Sequence, residues 1–154
     1  SDTWEDDGSR IDHGTMFYQA AKTGIVDPER SIQIGMRTHH EDTHGYQVLD
    51  ARWLHRHGVD RAVEAIKARV GASACYLTFD IDFLDPAFAP GTGTPVVGGF
   101  DTHTALEIIR GMAGIRIVGA DVVEVSPPYD HAETTALAAA SIAHEMLCLM
   151  NFRN

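Results

Sequence analysis

A chain of 154 residues, 44% of them apolar, is long enough for one domain with a buried core. Its formal net charge of −10, from 22 acidic and 12 basic side chains, argues against nucleic acid and anionic membrane as partners. The same charge suits a small cationic ligand, although acidity is also an ordinary means of staying soluble. Cys75 and Cys148 each lie in an apolar run and read as two buried core thiols, with no disulfide framework or Cys-rich metal site.

The chain opens on Ser1-Asp2-Thr3-Trp4 without an initiator Met and runs directly into Glu5-Asp6-Asp7-Gly8, which reads as a processed or cut chain. No basic segment followed by an apolar one opens it, so no secretory signal is visible and a cytoplasmic location is expected. Residues 15–23 suit a short helix ended by Gly24, and residues 31–36 a short strand introduced by Asp27-Pro28. Residues 58–70 carry Val59, Ala62, Val63, Ile66 and Val70 at helical spacing, with Asp60, Arg61, Glu64 and Lys67 on the other face. His55 and His57 before them read as loop residues.

Residues 75–81 form the next predicted strand. Asp101 or Thr102 then caps a helix bearing Ala105, Leu106, Ile109 and Met112, with Gly111 or Gly114 at its end. Residues 115–125 form another strand, stopped by Pro127-Pro128. The last helix runs from Glu133 to about Met150 and is apolar on most sides. Its apolar stretch, residues 136–150, is interrupted by Ser141, His144 and Glu145 and is too short to span a bilayer, so it reads as a buried helix. Strands alternating with helices predict an α/β domain with a parallel sheet covered by helices. In such sheets ligands bind beyond the carboxyl ends of the strands.

The strand ending at Ile81 delivers Asp80 and Asp82 to such an end. Alternation along a strand points both side chains the same way. Two carboxylates so placed repel, and a divalent cation held by oxygen ligands resolves the repulsion without protonation. The plainer alternative is that one caps a turn and the other is solvated. Asp85, before Pro86, reads as a turn residue. The segment Pro90-Gly91-Thr92-Gly93-Thr94-Pro95-Val96-Val97-Gly98-Gly99 is a tight loop rich in glycine and hydroxyls, without the Lys or the spacing of a phosphate-binding loop.

The run from Thr78 through Asp80-Ile81-Asp82-Phe83-Leu84-Asp85-Pro86 to Pro95 resembles the hallmark of the ureohydrolase family, which includes arginase and agmatinase. Asp12-His13-Gly14-Thr15-Met16-Phe17 resembles the agmatinase form of that family's histidine loop. Asp121-Val122-Val123-Glu124-Val125-Ser126-Pro127 resembles its last-strand motif, and Thr135-Ala136-Leu137-Ala138-Ala139-Ala140 the helix that follows. The resemblance covers the chain from end to end with the motifs in family order. It implies a three-layer arginase-like fold, with residues 1–154 as the C-terminal part of a single ureohydrolase domain.

The resemblance also implies two Mn²⁺ ions bridged by a hydroxide. Asp80 would bridge both ions and Asp82 would bind one. Asp2, in a segment similar to the end of the family's Asp-Ala-His-x-Asp motif, would be a further metal ligand and hydrogen-bond the hydroxide. Glu124 matches the carboxylate that grips the substrate guanidinium, Thr94 a loop residue lining the site, and His13 the proton shuttle. The chemistry agrees: a guanidinium carbon is resonance-stabilised, so attack needs an activated hydroxide, an aligned carbon and a proton for the leaving amine.

The family's Gly-Gly-Asp-His segment and the first part of Asp-Ala-His-x-Asp are not in this sequence, so the functional protein is expected to be longer. Trp4 beside Glu5 and Asp6 suits a substrate with a distal ammonium and no carboxylate. Agmatine, cleaved to putrescine and urea as in polyamine biosynthesis, has that shape. Guanidinobutyrate and related guanidino acids are the rivals, with Arg10 or Arg37 as the basic residue their carboxylate would need. A non-catalytic metal-binding subunit or inactive fragment is the reading from another class. A homo-oligomer, trimer or hexamer, follows from the resemblance. His39, His40 and His44 read as solvated loop residues or a wall at the substrate entrance.

Overall fold

The computed structural model describes residues 11–38 and 42–151. Helix α1 (Met16–Lys22) gives way to Gly24 at φ +75°, the left-handed conformation expected of a helix terminator. Strand β1 (Ile32–Met36) pairs in parallel with β2 (Gln47–Asp50). Strand β2 is four residues long and was not expected from the sequence, because a short run beside His44-Gly45 carries little periodicity.

Asp50 ends β2 and begins α2 (Ala51–Val70), its carboxylate accepting from Trp53 N at 2.7 Å. Gly58, at φ +78°, kinks α2 into two segments. Only the second was expected, and its face is as read: Ala62, Ile66 and Val70 are buried. The first segment carries His55 and His57, which are therefore helical and not in a loop. It forms because Ala51 and Leu54 are buried in the core, a tertiary gain that outweighs weak local periodicity.

Strand β3 (Cys75–Asp80) pairs in parallel with β4 (Ile117–Val123), and α3 (Thr102–Gly111) crosses between them, capped by Asp101 through Thr104 N at 2.7 Å. Helix α4 (Thr134–Asn151) completes the chain. Among the described residues the strands form two separate parallel pairs, β1–β2 and β3–β4, not one continuous sheet. They share a core: Ile32 and Ile34 of β1, Cys75 and Leu77 of β3 and Ile117 of β4 all pack on a cluster built from Leu54, Ile66 and Ile108. A second cluster, around Ile81, Leu84, Ile109 and Ile142, lies beneath the carboxyl end of β3.

Two expectations are corrected. Cys75 is only half-buried and Cys148 is exposed. Helix α4 is not buried all round: Thr135, Ala138, Ile142 and Met146, at helical spacing, face inward, while Leu137 is 70% exposed. No helix among the described residues is long and apolar enough to cross a membrane.

Candidate functional site

Strand β3 ends at Asp80, and the backbone tightens at once into a 3-10 turn, Ile81–Phe83. Asp82 therefore lies in that turn and not on the strand, so strand alternation does not govern its direction. The turn forms because Ile81 is fully buried, pulling the chain inward after the strand, and because the Asp80 carboxylate accepts from Asp82 N at 3.0 Å. One of the pair thus does cap a turn.

The register brings the backbone of Glu124 beside the end of β3. Asp80 lies opposite Val123, so Glu124 is the next residue beyond its strand partner, with the two backbones about 5 Å apart as parallel neighbours are. Glu124 follows the strand and has φ +65°, a conformation that disfavours side chains other than glycine's. Backbone strain of this kind persists only where surrounding contacts over-determine it, and it gathers at functional sites.

The contacts that hold Glu124's neighbours come from the glycine-rich loop. Thr92 forms an isolated antiparallel bridge with Val125, and Ser126 N donates to Gly91 O at 2.7 Å. On its other side Gly91 N donates to Thr135 Oγ1 at 2.8 Å. A Cβ on Gly91 would stand 2.7 Å from Asp130 Cβ, which explains glycine there. Thr94 is exposed, three residues along the same loop.

The neck of the loop is closed by Asp85. Its carboxylate accepts from Ala87 N at 3.1 Å, Gly98 N at 2.8 Å and Gly99 N at 3.1 Å. The hydrogen bond from Ala87 N–H is the main cause holding the Asp85 carboxyl below the ordinary carboxylate range; burial opposes it and the Gly98 and Gly99 amides reinforce it. Asp85 is a turn residue, as read. Gly99 has no room for a side chain, because a Cβ would fall 2.5 Å from Asp85 N.

Arg37, just past β1, reaches across to the turn after β3. It donates to Gly35 O at 3.1 Å, to Phe83 O at 3.3 Å and to the carbonyl of Asp82. Gly35, at a bulge in β1 and at φ +84°, lets the Phe83 ring lie where a Cβ would come within 2.5 Å. The guanidinium of Arg37 thus fastens the carboxylate-bearing turn to β1, a role not visible in the sequence because the partners are backbone carbonyls 45 and 46 residues away.

His13 lies in an exposed turn, in which Gly14 N donates to Asp12 Oδ1 at 3.0 Å. Asp2, Trp4 and Arg10, with His39 and His40, lie outside the described residues. Among the described residues no three His, Cys, Asp or Glu side chains converge as a complete metal site. Asp80 and Asp82 offer only hard oxygen donors, the type that Mn²⁺ or Mg²⁺ prefers, so they fit part of a divalent-cation site.

Asp80 and Glu124 therefore sit at the adjoining carboxyl ends of a parallel strand pair in an α/β architecture. The arginase family model matches residues 1–148, and this chain belongs to the arginase family. It is 55% identical over 150 residues to an agmatinase of Chromobacterium violaceum, covering 97% of this chain and 47% of that protein. A crystal structure described as a hypothetical agmatinase from Burkholderia thailandensis superposes with a TM-score of 0.93 at 56% identity, over 96% of this chain and 47% of that one. Proclavaminate amidino hydrolase from Streptomyces clavuligerus superposes with a TM-score of 0.92 at 39% identity, over 97% of this chain and 52% of that one. The chain spans about half the length of the relatives it matches.

Proposed function

We propose that the whole gene product carrying this chain hydrolyses agmatine to putrescine and urea with the help of Mn²⁺. The observation that carries the reading is the placement of Asp80 and Glu124 on adjacent parallel strand ends, in a chain 55% identical to an agmatinase. Asp80 and Asp82 are the residues that would hold the metal, with Asp2 as a further ligand. When bound, the metal pair supplies an activated hydroxide at neutral pH.

The chain's own groups do the rest. Glu124 accepts two hydrogen bonds from the planar guanidinium and neutralises its charge, which fixes the target carbon. Thr94 lines the same site from the loop that Gly91 and Thr92 anchor beside Val125 and Ser126. His13 delivers a proton to the leaving amine. Trp4 with Glu5 and Asp6 receives the aliphatic part and the distal ammonium.

Arg37 also bears on substrate choice. A guanidino acid would need a cation for its carboxylate, and the Arg37 guanidinium is already committed to three backbone carbonyls. That withdraws Arg37 as the cation for a guanidino acid and leaves Arg10 as the other residue named for that role. The test is urea release by the purified protein with Mn²⁺, comparing agmatine, arginine and guanidinobutyrate. Agmatine is expected to be turned over with the highest kcat/KM. Urea from guanidinobutyrate alone would overturn the substrate, and no urea from any guanidine would overturn the activity.

A further inference from the structure

Between the last strand and the last helix the backbone makes an unusual excursion. Ala132 and Glu133 have φ +51° and +58°, so two consecutive residues with side chains occupy the left-handed region. A route of this kind needs something that rewards it. What it achieves is to bring Asp130 back over the first turn of α4. There the carboxylate accepts from Thr135 N at 2.9 Å and Ala136 N at 3.0 Å.

Those bonds satisfy two of the otherwise unpaired N–H groups at the start of α4 and place Thr135 with no exposure to solvent. Burial alone would push the Asp130 carboxyl up; the amides of Thr135 and Ala136 and the Thr135 hydroxyl outweigh it and hold the carboxyl below its ordinary value. The Thr135 oxygen in turn accepts from Gly91 N, and the opposite side of Gly91 receives Ser126 N. Gly91 is thereby held on both sides, with no space around it for even a methyl group. Three residues further on lies Thr94, and two residues before Ser126 lies Glu124.

We propose that Asp130 and Thr135 are positioning residues for substrate binding: through Gly91 they set the placement of the Thr94 loop relative to Glu124. This rests on the reading of Thr94 and Glu124 as the substrate-binding pair. Neither Asp130 nor Thr135 touches the substrate. Their effect is to make the loop and the strand end one rigid unit, so the guanidinium meets a preformed grip and binding orders nothing further.

The experiment uses Thr135→Val, which keeps the shape and removes the oxygen, Thr135→Ser, which restores it, and Asp130→Asn, made in the whole gene product. For agmatine, Thr135→Val is expected to raise KM about tenfold with kcat changed far less, the pattern of lost substrate binding. Thr135→Ser should return KM to within about twofold of the unaltered protein. Asp130→Asn, which keeps its shape, should fall between them. Bound Mn²⁺ per chain should be the same in all four proteins.

Hydrogen exchange supplies a readout independent of activity: peptides covering residues 90–95 and 124–126 should exchange faster in Thr135→Val, while those within residues 140–150 of α4 stay protected. Unchanged KM in Thr135→Val, with only the yield of folded protein reduced, would overturn the proposal by leaving Thr135 a purely structural role. So would unchanged exchange at residues 90–95 in both Thr135→Val and Asp130→Asn, and this second outcome is decided even if the unaltered protein cleaves no guanidine.

Discussion

The two parallel strand pairs are built alike and end differently. At the carboxyl end of β1–β2, two charged side chains serve the fold: Asp50 caps α2, and Arg37 donates to the carbonyls of Gly35, Asp82 and Phe83. At the carboxyl end of β3–β4, Asp80 and Glu124 stand on neighbouring strands, Glu124 in a strained backbone, with a hydroxyl-rich loop stitched to the strand beside them. A polar residue at a strand end is therefore not a site by virtue of its place. The β1–β2 end serves as a buttress for the β3–β4 end, and Arg37 is the member that joins them.

The sharpest way to break that contrast is to remove a carboxylate from the side assigned to chemistry. Asp82→Asn in the whole gene product is expected to lower urea release by roughly 10²-fold or more and to weaken Mn²⁺ retention, since metal-site changes act on both. Its melting temperature measured without metal should stay within a few degrees of the unaltered protein, because Asp82 contributes its amide, not its carboxylate, to the turn after β3. Activity retained near the original level would move the metal site elsewhere.

Arg37→Met tests the buttress. It removes a cation shared among three carbonyls, and a charge-assisted hydrogen bond contributes about 1.5–3 kcal/mol, so chemical denaturation should show a loss of that order. Agmatine turnover should fall through displacement of Asp82, and guanidinobutyrate turnover should fall in the same proportion. A selective loss on guanidinobutyrate would instead make Arg37 a carboxylate-binding residue and erase the difference between the two strand ends.

The smallest effect is expected at the neck of the loop. Asp85 is held below the ordinary carboxylate range mainly by the Ala87 amide, so its stabilising effect is fully present above its unfolded pKa and disappears as the pH falls through the lower folded value. In urea denaturation, Asp85→Asn should be less stable than the unaltered protein at pH 7. That difference should begin to shrink below about pH 4 and vanish in stronger acid. A gap that stays constant to pH 2 would mean that Asp85 acts through shape and not charge.

Much of the architecture was legible from the chain itself. The helices after residues 58 and 101, the strands around residues 75 and 117, and the final helix all lie where periodicity and capping residues place them. The misreadings have one cause. The first half of α2 and the short strand β2 have weak local signals and exist because Leu54 and Leu49 are buried. Strand alternation does not govern Asp80 and Asp82 together, because the strand ends at Asp80 and the chain passes into a 3-10 turn at the buried Ile81.

What the sequence determined by itself is the inventory and its order: an Asp-x-Asp pair, a glycine and hydroxyl loop, a late strand-end glutamate and an early histidine, in a pattern that resembles one family. Motifs of that length are local, and local pattern is what a sequence states directly. Only the tertiary structure decided which polar residues are engaged and by what. It set Glu124 beside Asp80 through strand register, committed Arg37 to carbonyls some 45 residues away, and joined Gly91 to Thr135 across 44. Those pairings are made between segments far apart in the chain, and a hydrogen bond to a backbone carbonyl or amide leaves no mark on the identity of the residue that carries it.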